Sequence, residues 1–188
     1  GYYVDTTASI SQTPCAVGTY NPNTSSMGSD ACIASDEGYY VDTTASISQT
    51  PCAIGTWQNQ TNQTSCFEAD AGYYVDQTAS TSQTECAVGT WQNQTNQTSC
   101  FVADAGYYVD TTASISQTPC AVGTYNPNTS SMGSDACIAS DEGYYVDTTA
   151  SISQTPCAIG TWQNQTNQTS CFEADAGYYV DQTASTSQ

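Results

Sequence analysis

The chain contains no lysine, no arginine and no histidine. Set against 18 aspartates and glutamates, this leaves a formal charge of −18 on 188 residues. A polyanion without cations has nothing with which to displace counterions from a phosphate backbone, so nucleic acid is excluded as a partner. An anionic bilayer cannot be held through a basic patch either. The usual general base, the Schiff-base amine and the cationic phosphate clamp are all missing, and no enzyme is expected. Leucine is absent too, and Val, Ile and Phe together supply only 21 of the 188 residues. That is far under the ~20% below which strongly charged chains are usually disordered. No apolar run approaches the ~20 residues that a transmembrane helix needs, so no membrane insertion is expected in this segment. Something other than a large aliphatic core must hold such a chain together.

What the sequence has is repetition. Residues 106–188 are identical to residues 1–83, a superperiod of 105. Within it Gly-Tyr-Tyr-Val-Asp opens three modules, and the expected boundaries are 1–37, 38–71, 72–105, then 106–142, 143–176 and a partial 177–188. The stop in mid-repeat predicts a segment of a longer repetitive polymer. A weaker period near 17 residues echoes Gly-Tyr-Tyr as Gly-Thr-Trp, for example at Gly55, Thr56 and Trp57. A glycine, an aromatic, a polar run and a return to Cys describe a short strand, a turn and a second strand. No 3.6-residue apolar periodicity is present. The expected fold is therefore all-β, with small β-hairpin modules in a linear array and little or no helix.

Every complete module carries two cysteines, one after Ser-Gln-Thr (Cys15, Cys52, Cys86, Cys120, Cys157) and one closing a polar loop (Cys32, Cys66, Cys100, Cys137, Cys171). With no His and no CxxC cluster they do not resemble zinc ligands. Units this small need staples, and disulfides are the better reading. They predict an oxidising location, extracellular or at the cell surface. Spacing does not fix connectivity. Pairs within modules (Cys15–Cys32, Cys52–Cys66, Cys86–Cys100, Cys120–Cys137, Cys157–Cys171) are the favoured reading because the smaller rings suit a single hairpin, whereas the alternative joins each second cysteine to the next module's first, as in Cys66–Cys86. The 37-residue modules carry three extra residues in the Cys-to-Cys loop, around Asn21, Pro22, Ser26, Met27 and Gly28, and that loop tip is expected to face solvent.

The same loop holds eight Asn-x-Ser/Thr sequons, at Asn23, Asn59, Asn62, Asn93, Asn96, Asn128, Asn164 and Asn167. These are candidate N-glycan acceptors, and the Thr6, Thr7, Ser9 and Ser11 run suits O-linked sugar. Covalent glycans are thus expected, and no other cofactor. The polar tract Trp57 to Thr64 also has prion-like composition, although a ring-closed solvated loop explains it more simply. The aromatics are expected to pack over the disulfides and the junctions in place of a core. Two sets of aspartates flank each junction, Asp5, Asp42, Asp76, Asp110, Asp147 and Asp181 after Gly-Tyr-Tyr-Val, and Asp36, Asp70, Asp104, Asp141 and Asp175 before the next module. Calcium between them is possible in charge, but no calcium-loop spacing is present.

Cys-Ala-Val-Gly-Thr-Tyr…Cys at 15–32 and Cys-Ala-Ile-Gly-Thr-Trp…Thr-Ser-Cys at 52–66 resemble the ephrin-receptor-like cysteine-rich repeats, small EGF-like or TNF-receptor-like hairpin modules. The resemblance implies an extracellular structural or adhesive role and carries over no catalytic residue. Where members of that family place a further cysteine before the next Gly-aromatic, this chain has Asp or Ala, as in Ala69-Asp70-Ala71-Gly72. The expected function is a glycosylated, disulfide-stabilised extracellular fibre, filament or stalk whose partner is itself. The alternative is an adhesin-like array that binds carbohydrate or calcium through repeated weak sites.

Overall fold

The computed structural model describes residues 1–188. It is nearly all β, built from ten two-stranded antiparallel hairpins. The chain divides into two compact units, Gly1–Glu85 with Gln94–Cys100, and Cys86–Asn93 with Phe101–Gln188.

In the first unit β1 (Tyr2–Tyr3) pairs with β2 (Thr13–Pro14), β3 (Thr19–Tyr20) with β4 (Ile33–Ala34), β5 (Tyr39–Tyr40) with β6 (Thr50–Pro51), β7 (Thr56–Trp57) with β8 (Phe67–Glu68), and β9 (Tyr73–Tyr74) with β10 (Thr84–Glu85). In the second unit β11 (Thr90–Trp91) pairs with β12 (Phe101–Val102), β13 (Tyr107–Tyr108) with β14 (Thr118–Pro119), β15 (Thr124–Tyr125) with β16 (Ile138–Ala139), β17 (Tyr144–Tyr145) with β18 (Thr155–Pro156), and β19 (Thr161–Trp162) with β20 (Phe172–Glu173). Two kinds of hairpin alternate, one opening on Gly-Tyr-Tyr and one on Gly-Thr-aromatic.

Local chemistry explains the hairpin. Each hairpin after the first begins with a four-residue turn such as Asp70-Ala71-Gly72-Tyr73, closed by the Tyr73 N–H donating to the Asp70 carbonyl at 3.0 Å. Gly72 has φ 86° at the third position, the left-handed conformation that a type II turn requires there. Thr, Tyr and Trp then supply strand propensity for the two residues of the opening strand, and Thr, Ile or Phe for the first residue of the return strand. The ladder gains one more rung where Cys52 N–H reaches the Gly38 carbonyl and Ala69 N–H the Gly55 carbonyl, both at 2.8 Å.

The buried positions are few and recur. They are the opening glycine, the residue three beyond it, and a small residue after the return strand. The second is Val41, Val75, Val109 or Val146 in Tyr-Tyr hairpins, and Asn21, Gln58, Gln92, Asn126 or Gln163 in Thr-aromatic hairpins. The third is Cys15, Cys52, Cys86, Cys120 or Cys157, or Ser35, Ala69, Ala103 or Ser140. The aromatics do not replace the core: the tyrosines of β5, β9, β13 and β17 are only half-buried. Trp57 meets its register partner Phe67 within one hairpin, ring centroids 5.3 Å apart. The two longer loops each contain a short 3-10 turn, Ser29–Ala31 and Ser134–Ala136. Met27 and Met132 in those loops face solvent, but Asn21, expected in the exposed tip, is fully buried. It occupies the position of Val41, and its Nδ2 donates to the Tyr2 carbonyl at 3.0 Å.

Candidate functional site

The repeated feature with functional content is the junction between hairpins. Because the strands are only two residues long, the backbone groups that flank them must find partners elsewhere. They find them in the next hairpins. Gly18 N–H donates to the Val41 carbonyl (2.8 Å), Asn21 N–H to Ser46 (3.0 Å), and Ala45 N–H reaches back to Cys15 (2.9 Å). The next step repeats this arrangement: Gly38 to Gln58 (2.7 Å), Val41 to Gln63 (2.9 Å), and Asn62 to Ser35 (2.9 Å). The second unit uses the same three bonds, as at Gly123 to Val146, Asn126 to Ser151 and Asn167 to Ser140. Each hairpin therefore contacts its neighbour and its next-but-one neighbour through main chain.

The next-but-one contact makes the opening glycine indispensable. A Cβ built on Gly18 would sit 2.7 Å from the Asn62 carbonyl oxygen, and one built on Gly38 would fall inside contact distance of the Ala79 carbonyl. The residue that makes this approach is itself left-handed, φ 58° at Ala45, 60° at Asn62 and 56° at Ala79. Asn tolerates that region, whereas Ala costs about 1 kcal/mol there.

Two kinds of cross-link tie successive hairpins. The structure joins Cys15 to Cys32, Cys52 to Cys66, Cys120 to Cys137 and Cys157 to Cys171, with Cα–Cα distances of 5.6 to 5.8 Å. None of the ten cysteines is free. Each bridge runs from the end of a Tyr-Tyr hairpin to the return strand of the following Thr-aromatic hairpin. At the next junction a glutamine stands where that returning cysteine would be. Gln83 Nε2 donates to Asp70 Oδ2 at 2.8 Å, and the Asp70 N–H donates to Gln83 Oε1 at 2.7 Å. Asp36 with Gln49, Asp104 with Gln117, Asp141 with Gln154, and Asp175 with Gln188 form the same reciprocal clamp. The junction aspartates are thus held by amides. The aspartates after Gly-Tyr-Tyr-Val are exposed, and no group of three acidic, cysteine or histidine side chains converges.

All eight sequon asparagines are solvent-exposed. They differ in backbone: Asn62, Asn96 and Asn167 are the left-handed residues that pack beneath Gly18, Gly55 and Gly123. Asn23 and Asn128 donate their N–H groups to the Oδ1 of Asn21 and Asn126. The amide of Gln58 organises the shorter loop, donating to the Ser65 carbonyl (2.9 Å) and accepting from the Gln60 N–H (3.1 Å). The indole N–H groups of Trp57, Trp91 and Trp162 are buried and make no hydrogen bond within the chain.

Sequence reading missed Gln58, Gln83 and the left-handed Ala45 class. A signal for the glutamines was present, since Gln directly follows every Gly-Thr-Trp and recurs thirteen residues after every junction aspartate. No known protein-family model matches the chain, and no curated protein matches its sequence.

Proposed function

We propose that this chain is a structural extracellular repeat protein, a glycosylated fibre, filament or stalk in which the hairpin array itself is the product. One observation carries the reading: within each unit the same three main-chain bonds recur at successive junctions. A junction that accepts a copy of itself propagates indefinitely, which is the logic of quasi-one-dimensional repeat proteins. The fully bonded cysteines support an oxidising location outside the cell. The disulfide-bonded, Gly-Thr-aromatic hairpins also fit a role like that of the ephrin-receptor-like repeats in extracellular stalks. The absence of Lys and Arg removes every trypsin-type cleavage site, and the charge of −18 keeps neighbouring chains apart and hydrated.

Electron microscopy of native material before and after reduction tests this. Unbranched filaments of uniform width that fray on reduction are expected. Discrete particles, or filaments indifferent to reduction, would overturn the proposal.

A further inference from the structure

Three hairpins carry an aromatic platform made of a half-buried tryptophan and an exposed phenylalanine. Trp57–Phe67, Trp91–Phe101 and Trp162–Phe172 pack with ring centroids 5.3 to 5.4 Å apart. The phenylalanines remain about half exposed, 47 to 49%. Around Trp91 and Phe101 the surface forms a depression of ≈ 300 Å³, completed by Val102 and Asp104.

The adjoining segment supplies an occupant. Gln58 is buried, 1% exposed, and Asn59 stands two residues beyond Trp57, the spacing that puts side chains on one face of extended chain. Asn59 is solvent-exposed and opens the Asn-Gln-Thr sequon. The same order, Trp-Gln-Asn-Gln-Thr, stands at 91–95 and 162–166. The platform and this sequon occur together and are lost together. Where Tyr20 and Tyr125 replace the tryptophan, Ile33 and Ile138 replace the phenylalanine, and Pro22 and Pro127 stand two residues beyond the aromatic.

We propose that Asn59, Asn93 and Asn164 carry N-linked glycans whose first sugar lies over the Trp–Phe pair of its own hairpin. This deepens the glycosylated reading above and rests on it. A pyranose has an apolar C–H face that suits an aromatic surface, and the covalent tether holds it there at high effective concentration. The transfer itself uses a diphosphate-activated sugar and a cellular transferase. Asn59 Nδ2 bonds to the anomeric carbon, the bond from that carbon to the diphosphate oxygen breaks, and the diphosphate leaves while nitrogen gives up one proton. The second asparagine of each loop is differently placed. Asn62 has its Oδ1 against Gly18 and its N–H bonded to Ser35, so a glycan there disturbs the next-but-one junction.

The chain has three tryptophans, all in these platforms, so tryptophan emission reports them alone. Chymotryptic glycopeptides of native material, with site-localising fragmentation, give occupancy. Emission and quenching are then compared before and after enzymatic removal of N-glycans, and in the Asn59→Gln, Asn93→Gln, Asn164→Gln variant from the same host. The expected result is sugar predominantly on the first asparagine of each pair, with emission shifted to the red and quenching increased several-fold when it is removed. Sugar on the first asparagine with unchanged emission overturns the stacking, as does sugar predominantly on Asn62, Asn96 and Asn167, while the glycosylated reading stands. Bare asparagines at all eight sites overturn both.

Discussion

The two kinds of hairpin share one backbone and close it differently. In a Thr-aromatic hairpin the return strand is tied to the preceding hairpin by a disulfide, as at Cys52–Cys66. In a Tyr-Tyr hairpin the same tie is a glutamine held by the previous aspartate, as at Gln83 and Asp70. The buried residue three beyond the glycine differs in parallel, Gln58 in one and Val41 in the other. What stays constant is the glycine, the left-handed residue two hairpins on, and the main-chain bonds between them. The fold is therefore specified by backbone approach, and the side chains are alternative ways of filling and fastening it.

That ranking is testable. The largest effect is expected from Gly38→Ala, which introduces both left-handed strain and a clash with the Ala79 carbonyl. A loss of roughly 4 kcal/mol is expected, read as lost hydrogen-exchange protection around Gly38 and Ala79, with the unaltered Gly143 in the second copy as internal control. Gly28→Ala separates the two causes. Gly28 has φ 78° and ψ 155°, a backbone region nearly confined to glycine, but nothing within 4 Å of a new Cβ, so only a strain of about 1–3 kcal/mol should appear. Equal losses at Gly38 and Gly28 would refute the close-approach argument. Replacing Cys52 and Cys66 together by alanine should cost about 3 kcal/mol, as for a loop of this size, measured by chemical denaturation.

The hairpin architecture was legible because Gly-aromatic-polar-Cys is local chemistry: a left-handed glycine, two residues of strand propensity and a turn. The disulfides were legible as a class, but spacing left two pairings open, and the hairpin geometry supplies the one the structure contains. The core was not legible. The scarcity of Val, Ile and Phe directed attention to the tyrosines and tryptophans, yet the protected volume is filled by one valine per Tyr-Tyr hairpin after the first, such as Val41, by the first cysteine of each bridge, by amides such as Gln58 and Asn21, and by small residues such as Ala69. A buried amide looks like a loop residue until the three-dimensional partners, here Ser65 and Gln60, are known. The junction aspartates were read as a charged cluster because their glutamine partners lie thirteen residues away.

The smallest effects test whether bridge and clamp are equivalent positions. Ala69, fully buried after the return strand, corresponds to Cys52, and Gln83 corresponds to Cys66, with the same separation of 14 residues. Ala69→Cys with Gln83→Cys should therefore form a new disulfide, detectable as the absence of free thiol and by mass. It should stabilise by about 2 kcal/mol, the ~3 kcal/mol of ring closure less the clamp it removes. Persistent free thiols would show that the two junctions are not interchangeable. Gln83→Ala alone should cost only about 1 kcal/mol, because the clamp is exposed and water replaces both of its bonds. Its loss should appear as faster exchange at the Asp70 N–H and leave the disulfide-closed hairpins on either side protected. If protection fell equally in those neighbours, the clamp would be a main support of the stack, and the backbone bonds would rank below it.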